Sequence, residues 1–79
     1  MDSLSQKEVD ILRFIRTSRH KTTVAEIAKG LRLPHAEVDA FVQGMVSRKL
    51  LNRVAGASQV DDAFYTNPEA RERIFELLG

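Results

Sequence analysis

The apolar positions of this chain fall first into a helical pattern. Val9, Ile11, Leu12, Phe14 and Ile15 recur at helical spacing between Leu4 and Arg19, which predicts a first helix with a broad apolar arc. Ser5 with Glu8 makes a capping box at its start, and Leu4 before the cap is placed to staple onto Val9. An arc this wide predicts cover from two sides, by the rest of its own domain and by a late element or a second subunit. A second helix is predicted over about Val24 to Leu31, with Thr23 and Glu26 as its capping box and Ile27, Ala28 and Leu31 as its stripe. A third runs from about Pro34 to Lys49. Pro34 is read as its first residue, where a missing amide costs nothing, and Val38, Phe41, Val42 and Met45 follow at i, i+3, i+4 and i+7. His35, Ala36, Asp39, Ala40, Gln43 and Ser47 are then left pointing outward. Beyond this the pattern shortens. Leu50 to Ala55 alternates weakly, Gly56-Ala57-Ser58-Gln59 forms a small polar tip, and Val60 to Thr66 returns as a second strand. Asn67-Pro68 supplies the cap and first position of a last helix, Pro68 to Leu78, with Ala70, Ile74, Leu77 and Leu78 on one side and Phe75 near its edge.

One turn carries an apparent cost. Arg32 stands between the second and third helices, where a helix often ends on a left-handed residue and glycine or asparagine is the inexpensive choice. An arginine there costs roughly 1 kcal/mol, so either the turn differs or the side chain is useful. Gly30 offers another way to relax the same helix end.

Composition changes this picture little. The 79 residues, 43% hydrophobic and 29% charged, predict one globular domain over 1–79, mainly α with a small β-hairpin. Absence of cysteine excludes disulfides and thiolate metal sites and fits a reducing compartment. No apolar run approaches the roughly 18 residues of a membrane span. MDSLSQKEVD lacks a signal-peptide core, so the expectation is an intracellular protein of the cytoplasm or nucleoid, or of the nucleus in a eukaryote. A formal net charge of +1 argues against a purely electrostatic nucleic-acid binder.

Three helices, a hairpin and a short helix are the order of a winged helix. The helix-turn-helix would span about 23–49, the wing about 50–66 and the C-terminal helix about 68–78. The residues Ile27-Ala28-Lys29-Gly30-Leu31-Arg32-Leu33-Pro34, then Val38, then Met45 through Leu51 resemble the core of small winged helix-turn-helix transcription regulators of the MarR-like, archaeal–bacterial type. The ending AFYTNPEARERIFELL is similar to their closing strand and last helix. These are mostly core and turn positions, which specify a fold better than a ligand. A narrower similarity is to the Z-DNA-binding winged helix, through Pro34 and Glu37-Val38. That family's contacting asparagine falls on Asp39 and its tyrosine on Gln43, and Ala57-Ser58-Gln59-Val60 replaces its paired prolines and tryptophan, so Z-form recognition is not expected.

The resemblance implies a DNA-binding regulator, with double-stranded DNA as partner and no cofactor. It assigns base-facing roles to His35, Ala36, Asp39, Ala40 and Gln43, a phosphate contact to Thr23, and the end of the third helix and the wing to Arg48, Arg53, Ser58 and Gln59. The charges cut against this. Glu37 and Asp39 balance Arg48 and Lys49 in the third helix, and residues 51–66 carry Arg53 against Asp61 and Asp62. The alternative is a winged helix used as a protein-interaction module in a nucleic-acid-processing assembly, with Ala36, Ala40 and Gly44 permitting close approach. A third reading places nucleic acid on the stripe Arg13, Arg16 and His20, with Arg19 and Lys21 nearby.

Catalysis finds no footing in the sequence. His20 and His35 do not share a helical spacing suited to a metal, Asp61-Asp62 reads as a solvated turn, and the four glycines are scattered. Val9, Phe14, Ile74, Phe75 and Leu78 exceed what a small trihelical core needs and are read as pairing two copies, as symmetric DNA regulators do, the alternative being a monomer in which the last helix simply packs on the first.

Overall fold

The computed structural model describes residues 4–18, 20–58 and 61–78. Helix α1 spans Gln6–Thr17, strand β1 Thr22–Thr23, α2 Val24–Leu31, α3 His35–Ser47, β2 Leu51–Val54, β3 Ala63–Thr66, and α4 Arg71–Leu78 after a 3-10 turn at Pro68–Ala70. Both capping boxes form. Ser5 Oγ accepts the Glu8 amide while Glu8 accepts the Ser5 amide, and Thr23 and Glu26 repeat the arrangement at α2. Each satisfies two amides that a helix start leaves without partners.

Three expectations need correction. Pro34 is the N-cap of α3 and not its first helical residue. Its ψ of 142° is extended, and its carbonyl already accepts the Val38 amide at 3.1 Å. Proline fixes φ but leaves ψ open, so it fits either position. The sheet has three strands, not two: Thr22 and Thr23 pair antiparallel with Phe64 and Ala63, giving the order β1-β3-β2. A two-residue strand shows no alternation, and Thr23 serves also as the cap of α2, which hid it. Asp62, expected in a solvated turn, is buried. The strands are shorter than predicted, and Gln59 and Val60 lie outside the described residues.

The core draws Ile11, Leu12 and Ile15 from α1, Ile27 and Ala28 from α2, and Val38, Val42 and Met45 from α3. Leu50, Leu51 and Phe64 enter from the hairpin, Ala70 and Ile74 from the last helix. The helical periodicity therefore picks the buried stripe of α3 correctly, with Phe41 at its margin. Both α2 and α3 end through left-handed residues, Arg32 at φ 58° and Lys49 at φ 62°. In each case the next leucine turns inward and its amide closes the helix: Leu33 donates to the Ala28 carbonyl at 3.0 Å and Leu50 to that of Met45 at 2.9 Å. Gly30 also serves packing. A Cβ there would lie 2.5 Å from the Phe14 ring, so the glycine lets α1 pack over α2. Asn67 fastens the last segment, donating its side chain to the Lys49 carbonyl and its amide to that of Leu50 while capping Glu69.

Candidate nucleic-acid interface

The outward face of α3 is built by subtraction. Burial of Val38, Val42 and Met45 leaves His35, Ala36, Asp39 and Ala40 exposed, with Gln43 half-buried beside them. The two acids that trouble this face are treated differently. Glu37 is half-buried and ion-paired with Lys7 of α1, whereas Asp39 stays exposed. Arg48, at the other end of α3, has its guanidinium 3.7 Å from Glu8, and its carbonyl accepts from Arg73 at 3.4 Å. Consecutive residues of α1 thus neutralise one acid and hold one base of α3. A single sequence gives no sign of such pairing, because only the fold brings Lys7 and Glu8 to α3.

Thr23 is occupied as a cap: its hydroxyl accepts the Glu26 amide at 3.2 Å. The Glu26 carboxyl sits below the ordinary glutamate value, chiefly because the Thr23 amide donates to it and further because His20 bonds it at 3.2 Å. In the wing, Gly56 donates its amide to Asp62 Oδ1 at 2.9 Å, and Arg53 lies 3.9 Å from Asp62 Oδ2. Asp62 therefore ties one arm of the hairpin to the other and faces Arg53 across it. Ser58 bonds Asp61 at the tip, and Gln59 is outside the described residues. Gly56 lets the two arms approach this closely: a Cβ there would meet the Asp61 carbonyl at 2.5 Å.

No family model and no curated protein matches this chain. Solved structures do. A Staphylococcus aureus MarR in complex with salicylate and kanamycin superposes with a TM-score of 0.80 at 16% identity, covering 95% of this chain and 49% of that one. The adhesin competence repressor AdcR of Streptococcus pyogenes gives 0.73 at 20%, covering 94% and 55%. A S. aureus MepR–DNA complex gives 0.71 at 18%, covering 92% and 65%. The fold is the winged helix of MarR-type structures. The chain spans about half the length of most of these structures, as with the 54% of a MepR variant and the 49% of a Listeria monocytogenes MarR.

In this winged helix the remaining expected residues are dispersed. Arg13 donates to the Leu78 carbonyl at 3.3 Å and His20 pairs with Glu26, so the Arg13-Arg16-His20 stripe is partly spent inside the chain, and Arg19 lies outside the described residues. Of the five residues expected to pair two copies, Ile74 is buried in the chain's own core, Phe14 and Leu78 pack against that core, and Val9 is half-buried. Phe75 alone is open, at 66% exposure. Among the described residues no three His, Asp or Glu side chains are grouped to hold a metal, and no helix is long and apolar enough to cross a membrane.

Proposed function

We propose that this winged helix binds duplex DNA as a transcription regulator, with α3 in the major groove and the wing on phosphate or the minor groove. One observation carries the reading: the exposed face of α3 is small and polar, and its bulkier acid, Glu37, is turned aside onto Lys7. The fold is shared with a MepR solved on DNA. In this arrangement Gln43 bonds adenine, His35 lies at the helix start where a phosphate is welcome, and Arg53 leaves its long contact with Asp62 for a phosphate.

Fluorescence anisotropy with random duplex DNA at low and at physiological salt tests this. Binding that weakens steeply with salt is expected, and Arg53→Ala should weaken it on every sequence while lowering the salt slope by about one. Gln43→Ala should instead act only on selected sites. Absence of binding even at low salt would sink the proposal. The second reading, a protein partner on the same α3 face, is favoured by one feature, the exposed Asp39 with no cation beside it among the described residues.

A further inference from the structure

Two hollows of about 590 Å³ and 420 Å³ meet along the C-terminal half of α1, and Arg16 and Thr66 line both. Together they form one trough that includes none of the α3 and wing residues assigned above to duplex DNA, though it takes in Arg16 and His20 of the Arg13-Arg16-His20 stripe. Its charge is one-sided. Arg16 and Arg71 line the larger hollow and Arg16 and Lys21 the smaller, where His20 is already bonded to Glu26, and neither hollow has an acid in its own lining. Arg13, Arg48, Arg53 and Arg73 all have carbonyl or carboxylate partners within the chain. Arg16, Lys21 and Arg71 have none among the described residues and are exposed. The two exposed large apolar side chains among the described residues, Phe75 and Tyr65, also border the trough, one in each hollow.

We propose that this trough docks an acidic peptide segment carrying one bulky apolar side chain. Charge selects the occupant's backbone character: three unpaired cations with no lining acid attract a run of carboxylates. The floor selects its centre. The buried side chains of the trough's lining are apolar, Ile74 in the hollow that Phe75 borders and Ile15 in the one that Tyr65 borders. A nucleobase seated against Ile74 or Ile15 would leave edge donors and acceptors facing hydrocarbon, which is costly. A phenylalanine or leucine side chain leaves nothing unpaired, while flanking carboxylates reach Arg16 on one side and Arg71 on the other. Aromatic and arginine side chains together around an apolar floor are also the usual make-up of a protein-binding centre.

The test uses a fluorescein-labelled peptide of Asp and Glu with one central Phe, a matched peptide with Ala at the centre, and the intact chain. Saturable binding of the Phe peptide is expected, roughly tenfold or more tighter than the Ala peptide, in line with burial of one aromatic side chain. Arg16→Glu, Arg71→Glu and Phe75→Ala should each weaken it about tenfold, as truncated interface centres do. All three positions are exposed, and unchanged helix content and melting will show that the variants fold. Duplex DNA binding should be untouched by Phe75→Ala, which changes no charge and lies on neither α3 nor the wing, so this proposal and the α3 reading stand or fall separately. No saturable binding at low salt, or equal binding of the Ala peptide, would overturn it. So would a single-stranded oligonucleotide that displaces the peptide. A doubled mass in light scattering that Phe75→Ala abolishes would overturn it too, because the occupant would then be a second copy of the chain.

Discussion

Two cations occupy positions where glycine is the inexpensive residue. Arg32 and Lys49 both sit in the left-handed region with a Cβ that crowds the following carbonyl, and each closes a helix by sending the next leucine inward. Replacing either by glycine should therefore raise stability by up to about 1 kcal/mol, seen as a higher urea midpoint with an unchanged slope. If stability falls, the side chains contribute more than their backbone strain costs. Gly56 works the other way. Its Cβ would strike backbone and not a yielding side chain, so Gly56→Ala should cost about 1–3 kcal/mol and loosen the Asp62 tie across the wing. The loss of affinity for duplex DNA should then exceed that of an exposed tip substitution such as Ala57→Ser.

At the scale of elements, the start of α2 carries a pH dependence whose sign is fixed. The folded-state value of Glu26 is lowered by the Thr23 amide and by His20. Its contribution is thus complete above the ordinary glutamate value and is lost as pH falls through the lowered one. The side chain is 46% exposed, so the effect is small. Melting curves across the acid range should show wild type losing ground to Glu26→Gln, which keeps an acceptor but cannot titrate. An identical pH profile for the two would remove Glu26 from the account. The elements themselves were largely legible. Capping boxes at Ser5 and Thr23 and the i, i+3, i+4, i+7 run of α3 are local signals, and local geometry decides them. What was illegible depends on contacts distant in sequence: the pairing of Thr22 with Phe64, the packing of Phe14 over Gly30, the burial of Asp62, and the withdrawal of Ile74 into the core. The candidate site follows the same division. The outward face of α3 could be named residue by residue, but not which of its charges the first helix would take.

The whole molecule is nearly neutral, with a formal net charge of +1, so the proposed affinity for duplex DNA would rest on where charge lies and not on how much there is. Helix α1 does the sorting. Lys7 covers Glu37 and Glu8 holds Arg48, which leaves Asp39 as the acid open on the α3 face. Two substitutions at opposite ends of this arrangement make the argument testable. Asp39→Asn removes one repulsive charge from a surface that would face phosphate, worth on the order of fivefold in affinity for random duplex DNA at low salt. Lys7→Ala leaves α3 itself unchanged but uncovers Glu37, and should lower affinity by a similar factor. Both effects should shrink together as salt rises, since exposed charges are screened beyond a Debye length of about 8–10 Å. Anisotropy titrations of the two variants at two salt concentrations measure this directly. A gain from Asp39→Asn with no loss from Lys7→Ala would mean that Glu37 does not face the DNA and that α1 merely supports α3. If neither substitution changes affinity, α3 does not face DNA at all. Asp39 would then be an ordinary solvated acid, and the weakly charged face around it would belong to a protein partner.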